Sequence, residues 1–512
     1  MTTMFPVLAR LLALTALLSL VSCASTPTAQ PRGPALEAAG DGALILRLLT
    51  NSDGTNLYLK QWGALRVARV EAGGTTVDYT VQPVMDAAAR SALYVASLPP
   101  GQYRLAQVPG HLCGYICAPS TITPNERFAG FQIVPGRLTD LGTLVQGQMV
   151  TGSRAVLMAI ETAPRRTATP ELLREFAPGL QALLQQPPVA WDMNSSAAAL
   201  ALISEVVLRS SRGFTAPSET AEPGRFIHGS ANGAVVSVVP GGARKTHDVG
   251  ERVGVETVLV ASDGSWYAGG EYGLLKRSTD QGATWKDLRG NLPFGLVVHL
   301  IEDQGRVLAA VLRGQRLQVL SAAVGDAQWQ PLFSTELNVS RFWDAVNVRP
   351  ALYLDGPRIV ASVPGQQMAV FDKASAQLSL RAMPGSIQYF SVGKDGVYRC
   401  RCGSMKVDPY ESRDQGRTWQ AADTSRYFML PVFRDAKFAV RLQSAFAGPT
   451  RMASTRNGGA TWTEGTPEVP HDLAWFTYSR DAQSIWGTTL AGGFWVSRDE
   501  GQTWREVKGL RP

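Results

Sequence analysis

Ser278–Trp285 reads STDQGATW, and the same pattern returns at Ser412–Trp419 (SRDQGRTW), Thr455–Trp462 (TRNGGATW) and Ser497–Trp504 (SRDEGQTW). Each copy follows one template, which we call the octapeptide: a hydroxyl residue, any residue, Asp or Asn, any residue, Gly, any residue, Thr, Trp. Four copies in one chain are too many for coincidence. Self-similarity at a regular period predicts a repeat architecture.

The chemistry of the octapeptide is that of a hairpin turn. A short acidic or amide side chain accepts hydrogen bonds from backbone N–H groups ahead of it, and Gly takes a positive φ. The Thr hydroxyl closes the loop, and the Trp begins the next strand with a large apolar ring to bury. The predicted structural residues are the acid or amide and the Trp of each copy: Asp280, Trp285, Asp414, Trp419, Asn457, Trp462, Asp499 and Trp504.

The spacing of the octapeptides predicts further, decayed copies. Where the period places further copies, the sequence has AAVGDAQW ending at Trp329, VFDKASAQ ending at Gln377, and VVPGGARK over Val238–Lys245. A second signal runs in phase: before each copy, two apolar stretches flank a tight turn, as in LVASDGSWYAG from Leu259. The unit is therefore two hairpins, or four strands, in roughly forty residues, the period of a β-propeller blade.

The count of blades is six to seven. The first copy lacks a clear innermost strand, and too little chain follows Trp504 to supply it from the other end. A closure strand is therefore expected from the region around Phe214.

The first 22 residues have the layout of a secretory signal, with Arg10 followed by the apolar run LLALTALLSLV. Leu20–Cys23 resembles the bacterial lipobox, which implies that Cys23 is the acylated first residue of the mature protein; an ordinary signal peptide is the alternative. Ala24-Ser25 suits the outer membrane by analogy, and several acyl chains anchor a protein stably. The expected location is therefore the bacterial envelope, with 23–40 as a flexible, Pro-rich tether.

The remaining chain divides into three predicted parts. Residues 41–165 show short β segments and turns, and Leu98–Val108 and Phe131–Val145 resemble the closing strands of immunoglobulin-like or transthyretin-like domains. We therefore expect an N-terminal β-sandwich. A helical linker follows over 166–215, with Thr169-Pro170-Glu171 as a helix start and a second helix from Asn194-Ser195 to Arg209. The propeller occupies 216–512.

Four cysteines besides Cys23 form two close pairs, Cys113 with Cys117 and Cys400 with Cys402. Disulfides are the default in an exported protein. Two same-face residues of one strand are too far apart to bond unless a bulge brings them together, so the second pair stays open. A joint metal site is disfavoured because the pairs lie in different domains.

The formal net charge of +7 is modest for 512 residues. A nucleic-acid binder clusters Lys and Arg on one element, which this chain does not. A weakly basic surface suits anionic partners, although ordinary solubilising charge explains it as well.

The octapeptide resembles the Asp-box, or bacterial neuraminidase repeat, and the C-terminal part of the chain resembles that propeller superfamily. It contains sialidases, endoglucanases, sortilin-type receptors and photosystem II assembly-factor-like proteins, and the assembly-factor-like branch has the most similar repeat spacing. In this superfamily the box lies on the rim away from the ligand-binding mouth. The resemblance therefore implies a propeller, without implying sialidase activity.

A sialidase also needs, by family resemblance, an early FRIP-like segment, three arginines and a Tyr–Glu pair. Arg225–His228 reads RFIH, and Tyr410 and Glu411 are adjacent, so they face opposite sides of a strand. The arginine, carboxylate and histidine candidates do not have the sequence spacing of a catalytic or metal-binding site. They are Arg306, Arg313, Arg341, Arg434 and Arg441; Glu302, Asp303, Asp344, Asp395 and Asp481; and His111, His228, His247, His299 and His471. We assign no catalytic residue, metal ligand or cofactor.

The sequence therefore favours a lipid-anchored propeller that binds a protein or glycan at its mouth, without enzymatic activity and without nucleic acid. Aromatic residues proposed for that mouth are Phe342, Trp343, Trp475 and Phe476, with inter-blade packing as their alternative role. The alternative function is a glycoside hydrolase acting on envelope or extracellular glycans, and a purely structural role is the third.

Overall fold

A computed structural model describes residues 40–50, 63–84, 87, 91–113, 117–124, 130–151, 153–161, 169–192, 217–222, 224–230, 233–238, 245–337, 350–363, 365–403, 408–422, 430–443, 451–465, 469–470, 473–479, 481–489 and 494–507. The expected signal segment, Cys23 and the tether up to residue 39 lie outside the described residues, as does the second linker helix.

The described residues of the N-terminal part form two five-stranded sheets. One has the order β10-β9-β1-β5-β4, in which β1 and β9 are parallel, and the other has the order β3-β2-β6-β7 with β8 also paired to β6. The strands are β1 Gly42–Thr50, β2 Leu65–Val70, β3 Thr76–Val81, β4 Pro83–Val84, β5 Ser91–Leu98, β6 Gly101–Cys113, β7 Cys117–Ile122, β8 Gly130–Ile133, β9 Leu138–Thr151 and β10 Ser153–Glu161.

The two N-terminal sheets share one hydrophobic core. Leu44 and Tyr94 of the first sheet belong to the same buried cluster as Val67 and Tyr103 of the second. Trp191 joins this cluster, and its indole N–H donates to the Leu141 carbonyl at 2.7 Å. The β-sandwich of 41–165 stays a prediction; the structure shows two sheets that bury side chains against each other.

The linker begins with helix α1, Thr169–Phe176, followed by a 3₁₀ helix over Pro178–Gln185. The break falls at Pro178, because proline disrupts a continuing helix. Leu172 and Leu180 are buried in one cluster with Leu138 of β9 and Val255 of the following region. The described linker therefore packs between the N-terminal sheets and the rest of the chain.

From Ser218 onward, the described residues form seven four-stranded antiparallel sheets, each in simple chain order. We call them blades 1 to 7. Blades 1 to 3 are β11 Ser218–Glu219, β12 Phe226–Ser230, β13 Ala234–Val238 and β14 Lys245–Asp248; β15 Val255–Val260, β16 Trp266–Gly270, β17 Leu275–Ser278 and β18 Lys286–Asp287; and β19 Leu296–Asp303, β20 Arg306–Arg313, β21 Arg316–Ala323 and β22 Gln330–Glu336. A one-turn 3₁₀ helix, Glu271–Gly273, follows β16.

Blades 4 to 7 continue the same pattern. Their strands are β23 Ala351–Asp355, β24 Arg358–Val363, β25 Gln367–Asp372 and β26 Gln377–Ala382; β27 Ile387–Val392, β28 Tyr398–Cys402, β29 Asp408–Ser412 and β30 Gln420–Ala421; β31 Val432–Phe433, β32 Ala439–Gln443, β33 Arg451–Thr455 and β34 Thr463–Glu464; and β35 Leu473–Tyr478, β36 Ile485–Thr489, β37 Phe494–Ser497 and β38 Arg505–Glu506. The turns predicted ahead of the octapeptides join the first two strands of blades 2 to 7.

The ring closes between blade 7 and blade 1. Phe226 of β12 packs against Trp486 of β36 with ring centroids 5.1 Å apart. Val236 and Val507 belong to the same buried cluster. Blade 1 takes its first strand, β11, from just beyond the predicted Phe214 region, so side-chain packing rather than a shared sheet joins the two ends. The fold is a seven-bladed β-propeller, and the prediction of a mainly-β propeller is confirmed.

A buried cation of blade 5, Arg399, contacts blade 6. The Arg399 guanidinium stacks on the Phe433 ring at 4.0 Å from its centroid. Arg399 also forms ion pairs with Asp395 at 2.6 Å and Glu411 at 3.1 Å, and its side chain is 3% exposed. These two acids neutralise a cation that is almost entirely buried.

Candidate functional site

Each octapeptide forms the same hydrogen-bonded turn between the third and fourth strands of its blade. In blade 2 the Asp280 carboxylate accepts the Thr284 N–H at 2.9 Å and the Thr284 hydroxyl at 2.6 Å. The Ser278 hydroxyl donates to Asp280 at 2.7 Å and accepts the Gly282 N–H at 2.7 Å. The turns at Asp414 and Asp499 repeat this network. The turn at Asn457 differs in one bond, because the Asn457 amide N–H donates to the Thr461 hydroxyl at 2.8 Å.

These hydrogen bonds stabilise the ionised acid. The Thr284 hydroxyl and N–H, together with the Ser278 hydroxyl, lower the pKa of Asp280 to about 2. The corresponding bonds from Thr418 hold the pKa of Asp414 well below its usual value. A carboxylate that accepts several local donors is occupied by its own turn. The octapeptide acids therefore act structurally in this geometry.

Three of the four octapeptide tryptophans belong to apolar clusters shared with the preceding blade, whereas Trp462 stacks under Arg441 of its own blade. Trp285 packs at the junction of blades 1 and 2, Trp419 at that of blades 4 and 5, and Trp504 at that of blades 6 and 7. Trp329 of the decayed copy in blade 3 is buried at the junction of blades 2 and 3. Its indole N–H donates to the Leu288 carbonyl of blade 2 at 2.9 Å. The repeat thus supplies indole rings that fill inter-blade space.

Blade 4 departs from this pattern. Strands β25 and β26 stay paired as far as Asp372 opposite Gln377, so a four-residue turn replaces the octapeptide loop. Asp372 accepts the N–H groups of Ala374 and Ser375, both at 3.0 Å. Gln377, which the spacing placed at a Trp position, is an exposed strand residue. The copy predicted there is a tight hairpin that brings no indole ring to the junction with blade 3.

An open cavity of about 340 Å³ lies at this junction, where blade 4 supplies no tryptophan. Its apolar lining comes from Leu308 and Leu332 of blade 3 and from Ile359 and Phe371 of blade 4. Phe371 also stacks on Phe333 with centroids 5.2 Å apart. The size lies in the range of ligand-binding pockets. We therefore take this cavity as the candidate site.

Charged side chains line the cavity together with the apolar ones: Asp303, Arg306 and Lys373. Lys373 donates to Asp303 at 2.6 Å, an ion pair between the two blades. Arg306 donates to the Ser321 hydroxyl at 2.9 Å, and to the Ser321 carbonyl and the Gln330 amide oxygen at 3.3 Å. Among the described residues, the hydrogen-bond acceptors of Arg306 are all uncharged. The cavity thus combines an apolar lining with a net positive charge.

The N-terminal part contacts the propeller through a buried carboxylate. Glu271 is 0% exposed and accepts the Ser91 N–H and hydroxyl, both at 2.9 Å, and the Gly254 N–H at 2.6 Å. The Tyr272 N–H donates to the Ala87 carbonyl at 3.0 Å. On the surface, Arg313 pairs with Glu175 of α1 at 2.8 Å. These contacts cover loops of blades 2 and 3, on the side opposite their octapeptide ends.

The other sequence candidates have structural roles where they are described. Arg313 pairs with Glu175, Arg434 with Glu500 at 3.1 Å, and Arg441 stacks on Trp462 at 4.2 Å. Glu302 accepts the Ser262 N–H at 2.6 Å, Asp395 pairs with Arg399, and Asp481 accepts the Ser479 hydroxyl at 2.5 Å. Arg341 and Asp344 lie outside the described residues. The structure therefore does not bring these residues together.

Histidines 247 and 299 serve inter-blade packing. His247 hydrogen-bonds the Ser237 hydroxyl at 2.9 Å and lies edge-to-face on Trp266 of blade 2. The His299 Nδ1 accepts the Leu352 N–H at 3.1 Å, and burial lowers the pKa of His299 to about 4. Within the described part of the chain, no three His, Cys, Asp or Glu side chains converge as metal ligands.

The two cysteine pairs lie on strands. Cys400 and Cys402 of β28 form a disulfide across a Cα–Cα distance of 5.7 Å, and both are buried. The opposite strand has a register irregularity between Ile387 and Tyr389, next to Cys402. Cys113 and Cys117 are register partners of β6 and β7, and their disulfide stays a prediction.

The aromatic residues proposed for the mouth do not form a described site. Phe476 is 3% exposed and belongs to the core between blades 6 and 7, so its proposed role in ligand contact is wrong. Phe342 and Trp343 lie outside the described residues, and so does the side chain of Trp475. A ligand at the mouth stays a prediction.

Sequence reasoning missed two features of the site. Glu271 stands in an unremarkable GEYG loop, and nothing near it signals a contact with Ser91. The cavity between blades 3 and 4 did have a signal, because the spacing located a copy without tryptophan at Gln377. The sequence indicates only a decayed copy there, whereas the structure has open space in place of the indole ring.

The chain matches no known family description and no curated protein. Its structure is similar to YCF48 bound to D1 peptide, at 13% identity over 48% of this chain and 79% of that chain, with a TM-score of 0.37. It is similar to BamB from Moraxella catarrhalis at 11% identity over 57% and 84%, with a TM-score of 0.37. The computationally designed Ika8 protein is similar at 12% identity over 59% and 88%, with a TM-score of 0.41.

Those similarities say nothing about a ligand for this chain. Among the described residues, no helix is long and apolar enough to span a membrane.

Proposed function

We propose that this chain is a non-enzymatic binding protein of the bacterial envelope, anchored through acyl chains on Cys23, whose propeller holds a protein partner. The observation that carries the proposal is the cavity between blades 3 and 4, which is open, apolar and rimmed by cations. Among the described residues that line the cavity, the single acid is Asp303, and it is paired with Lys373. Glycoside hydrolysis generally needs two carboxylates across a cleft, so this geometry favours binding over hydrolysis.

Two measurements test this proposal. The first is the turnover of a panel of fluorogenic glycosides by the purified chain without residues 1–23, and we expect none above the buffer rate. The second is cross-linking of the full-length chain in intact envelopes, where we expect a discrete adduct with another protein. Turnover that disappears on a single carboxylate change, such as Asp303→Asn, would contradict a binding role.

The anchor is tested separately by Cys23→Ser. We expect the variant to move from the membrane fraction to the soluble fraction and to lose labelling by a radioactive fatty acid, because the thiol carries the acyl chain. Membrane retention with unchanged labelling would show that the chain is held in another way.

A further inference from the structure

The face of blade 4 that looks towards blade 3 continues beyond the cavity as exposed apolar surface. Leu378 of β26 lies opposite Phe371 in register, and Leu380 lies opposite Ala369. Directly opposed residues of an antiparallel pair share one face of the sheet. Leu378 and Leu380 are 37% and 50% exposed, so the apolar lining of the cavity extends outward along β26. We call the cavity and this strip the outer groove.

Strand β26 is also a long outer strand. It has six residues, whereas the outer strands of blades 2, 5, 6 and 7 have two each. Within the described chain it pairs with β25 alone, so its other edge presents free backbone groups. An exposed edge with apolar side chains is a template for an added strand, which natural proteins usually protect. The edge therefore suits an extended polypeptide.

The charges of the outer groove indicate which side chains a bound, extended polypeptide would carry. The described hydrogen-bond acceptors of Arg306 are the neutral groups of Ser321 and Gln330, and Lys373 is matched by Asp303. The groove therefore has one cation in excess, held beside an apolar cavity. A planar apolar side chain next to a carboxylate satisfies both features, since guanidinium groups pair well with carboxylates.

We propose that the outer groove binds an extended segment of a partner protein, with an aromatic side chain in the cavity and a neighbouring carboxylate on Arg306. This assignment rests on the proposed function and deepens it. It names the surface that holds the partner and the chemistry of the bound segment.

The test uses fluorescent heptapeptides of glycine and serine with a central Trp-Asp, Ala-Asp, Trp-Asn or Trp-Lys pair. Binding to the purified chain is measured by anisotropy. We expect Trp-Asp to bind at least about ten times more tightly than Ala-Asp, because burying an indole removes a large apolar area from water. We expect a preference of about fivefold for Trp-Asp over Trp-Asn, and weaker binding still for Trp-Lys.

Matched variants locate the binding. Leu378→Glu places a carboxylate in the outer groove and is expected to weaken Trp-Asp binding at least about fivefold, by repulsion. Ser379→Glu, on the opposite face of the same exposed strand, is expected to leave binding unchanged. Arg306→Gln is expected to remove the preference for Asp over Asn, and Arg316→Gln, outside the groove in the same blade, to keep it. Circular dichroism confirms that each variant is folded.

The assignment is overturned if Trp-Asp binds no better than Ala-Asp at 1 mM, or if Leu378→Glu and Ser379→Glu behave alike. A cross-linked protein partner in envelopes together with either of these results would leave the binding function standing and refute the outer groove alone. An absence of any partner adduct, with the peptide preferences intact, would instead refute the proposed function.

Discussion

At the residue scale, the glycine of the octapeptide meets two separate demands. Gly282 has φ +85°, and a Cβ added there would lie 2.5 Å from the His247 Nδ1 and 3.0 Å from the Trp266 ring. Gly264 in the same blade has φ +81°, and a Cβ there would meet nothing within 4 Å. The sequence indicated the positive φ at Gly282 but not the close approach to His247 of blade 1.

This pair of glycines gives the first prediction. Gly264→Ala is expected to lower the free energy of unfolding by about 1 kcal/mol, the cost of a left-handed conformation with a Cβ. Gly282→Ala is expected to lower the free energy of unfolding by at least twice as much, because the rings of His247 and Trp266 must also move. Urea unfolding of both variants measures the difference. Equal losses would mean that the approach to His247 imposes no steric demand.

The fourth position of the octapeptide has a backbone requirement that the sequence template does not show. It admits any residue in sequence, yet Gln281, Gln415 and Glu500 all have positive φ, as does Gly458. Two successive left-handed residues therefore make the turn. Only one copy has a glycine at this position, Gly458. The comparison of the four copies therefore does not reveal that the position needs a positive φ.

At the scale of elements, His299 joins two blades through a backbone hydrogen bond. Its Nδ1 on β19 accepts the Leu352 N–H of β23, which requires the neutral ring. Burial lowers the pKa of His299 to about 4, whereas an unfolded histidine has its ordinary pKa near 6.5. At pH values above about 6.5, His299 is neutral in both the folded and the unfolded chain, and the protein has its full stability.

The second prediction follows from this difference. As the pH falls from about 6.5 to about 4, the unfolded chain takes up a proton that folded His299 refuses, so stability is lost by up to about 1.4 kcal/mol per pH unit. In His299→Asn the amide oxygen keeps an acceptor for Leu352 but does not titrate. The wild type is therefore expected to lose more stability than the variant between pH 7 and pH 5, in urea unfolding at each pH. Equal losses of stability in the wild type and in His299→Asn would contradict this prediction.

At the scale of the whole molecule, Glu271 connects the N-terminal sheets to the propeller. Its fully buried carboxylate serves donors from both sides, Ser91 of β5 and Gly254 before β15. Losing the acceptor would leave two backbone N–H groups without a partner, and each such buried group costs about 1–3 kcal/mol. The exposed pair of Arg313 with Glu175 offers a comparison, since surface ion pairs contribute less than about 1 kcal/mol.

The third prediction uses that comparison. Glu271→Ala is expected to separate thermal unfolding into two transitions and to speed proteolysis at the linker, because the N-terminal sheets lose their buried contact. Arg313→Ala is expected to keep the wild-type unfolding profile. Differential scanning calorimetry and limited trypsin digestion provide the measurements. A single, unshifted transition in Glu271→Ala would show that apolar packing alone joins the two parts.

The sequence by itself determined the repeat unit, because turn chemistry is local. Ser278, Asp280, Gly282 and Thr284 lie within seven residues and are joined by hydrogen bonds, Gly282 and Asp280 to the Ser278 hydroxyl and Thr284 to Asp280, so their spacing carried the geometry. The same locality predicted the first hairpin of blades 2 to 7 and placed a decayed copy at Gln377. Tertiary structure alone decided three features: the closure of Phe226 on Trp486, the contact of Glu271 with Ser91 across 180 residues, and the open groove between blades 3 and 4. Each depends on which faces meet in the closed ring, and no local pattern encodes that.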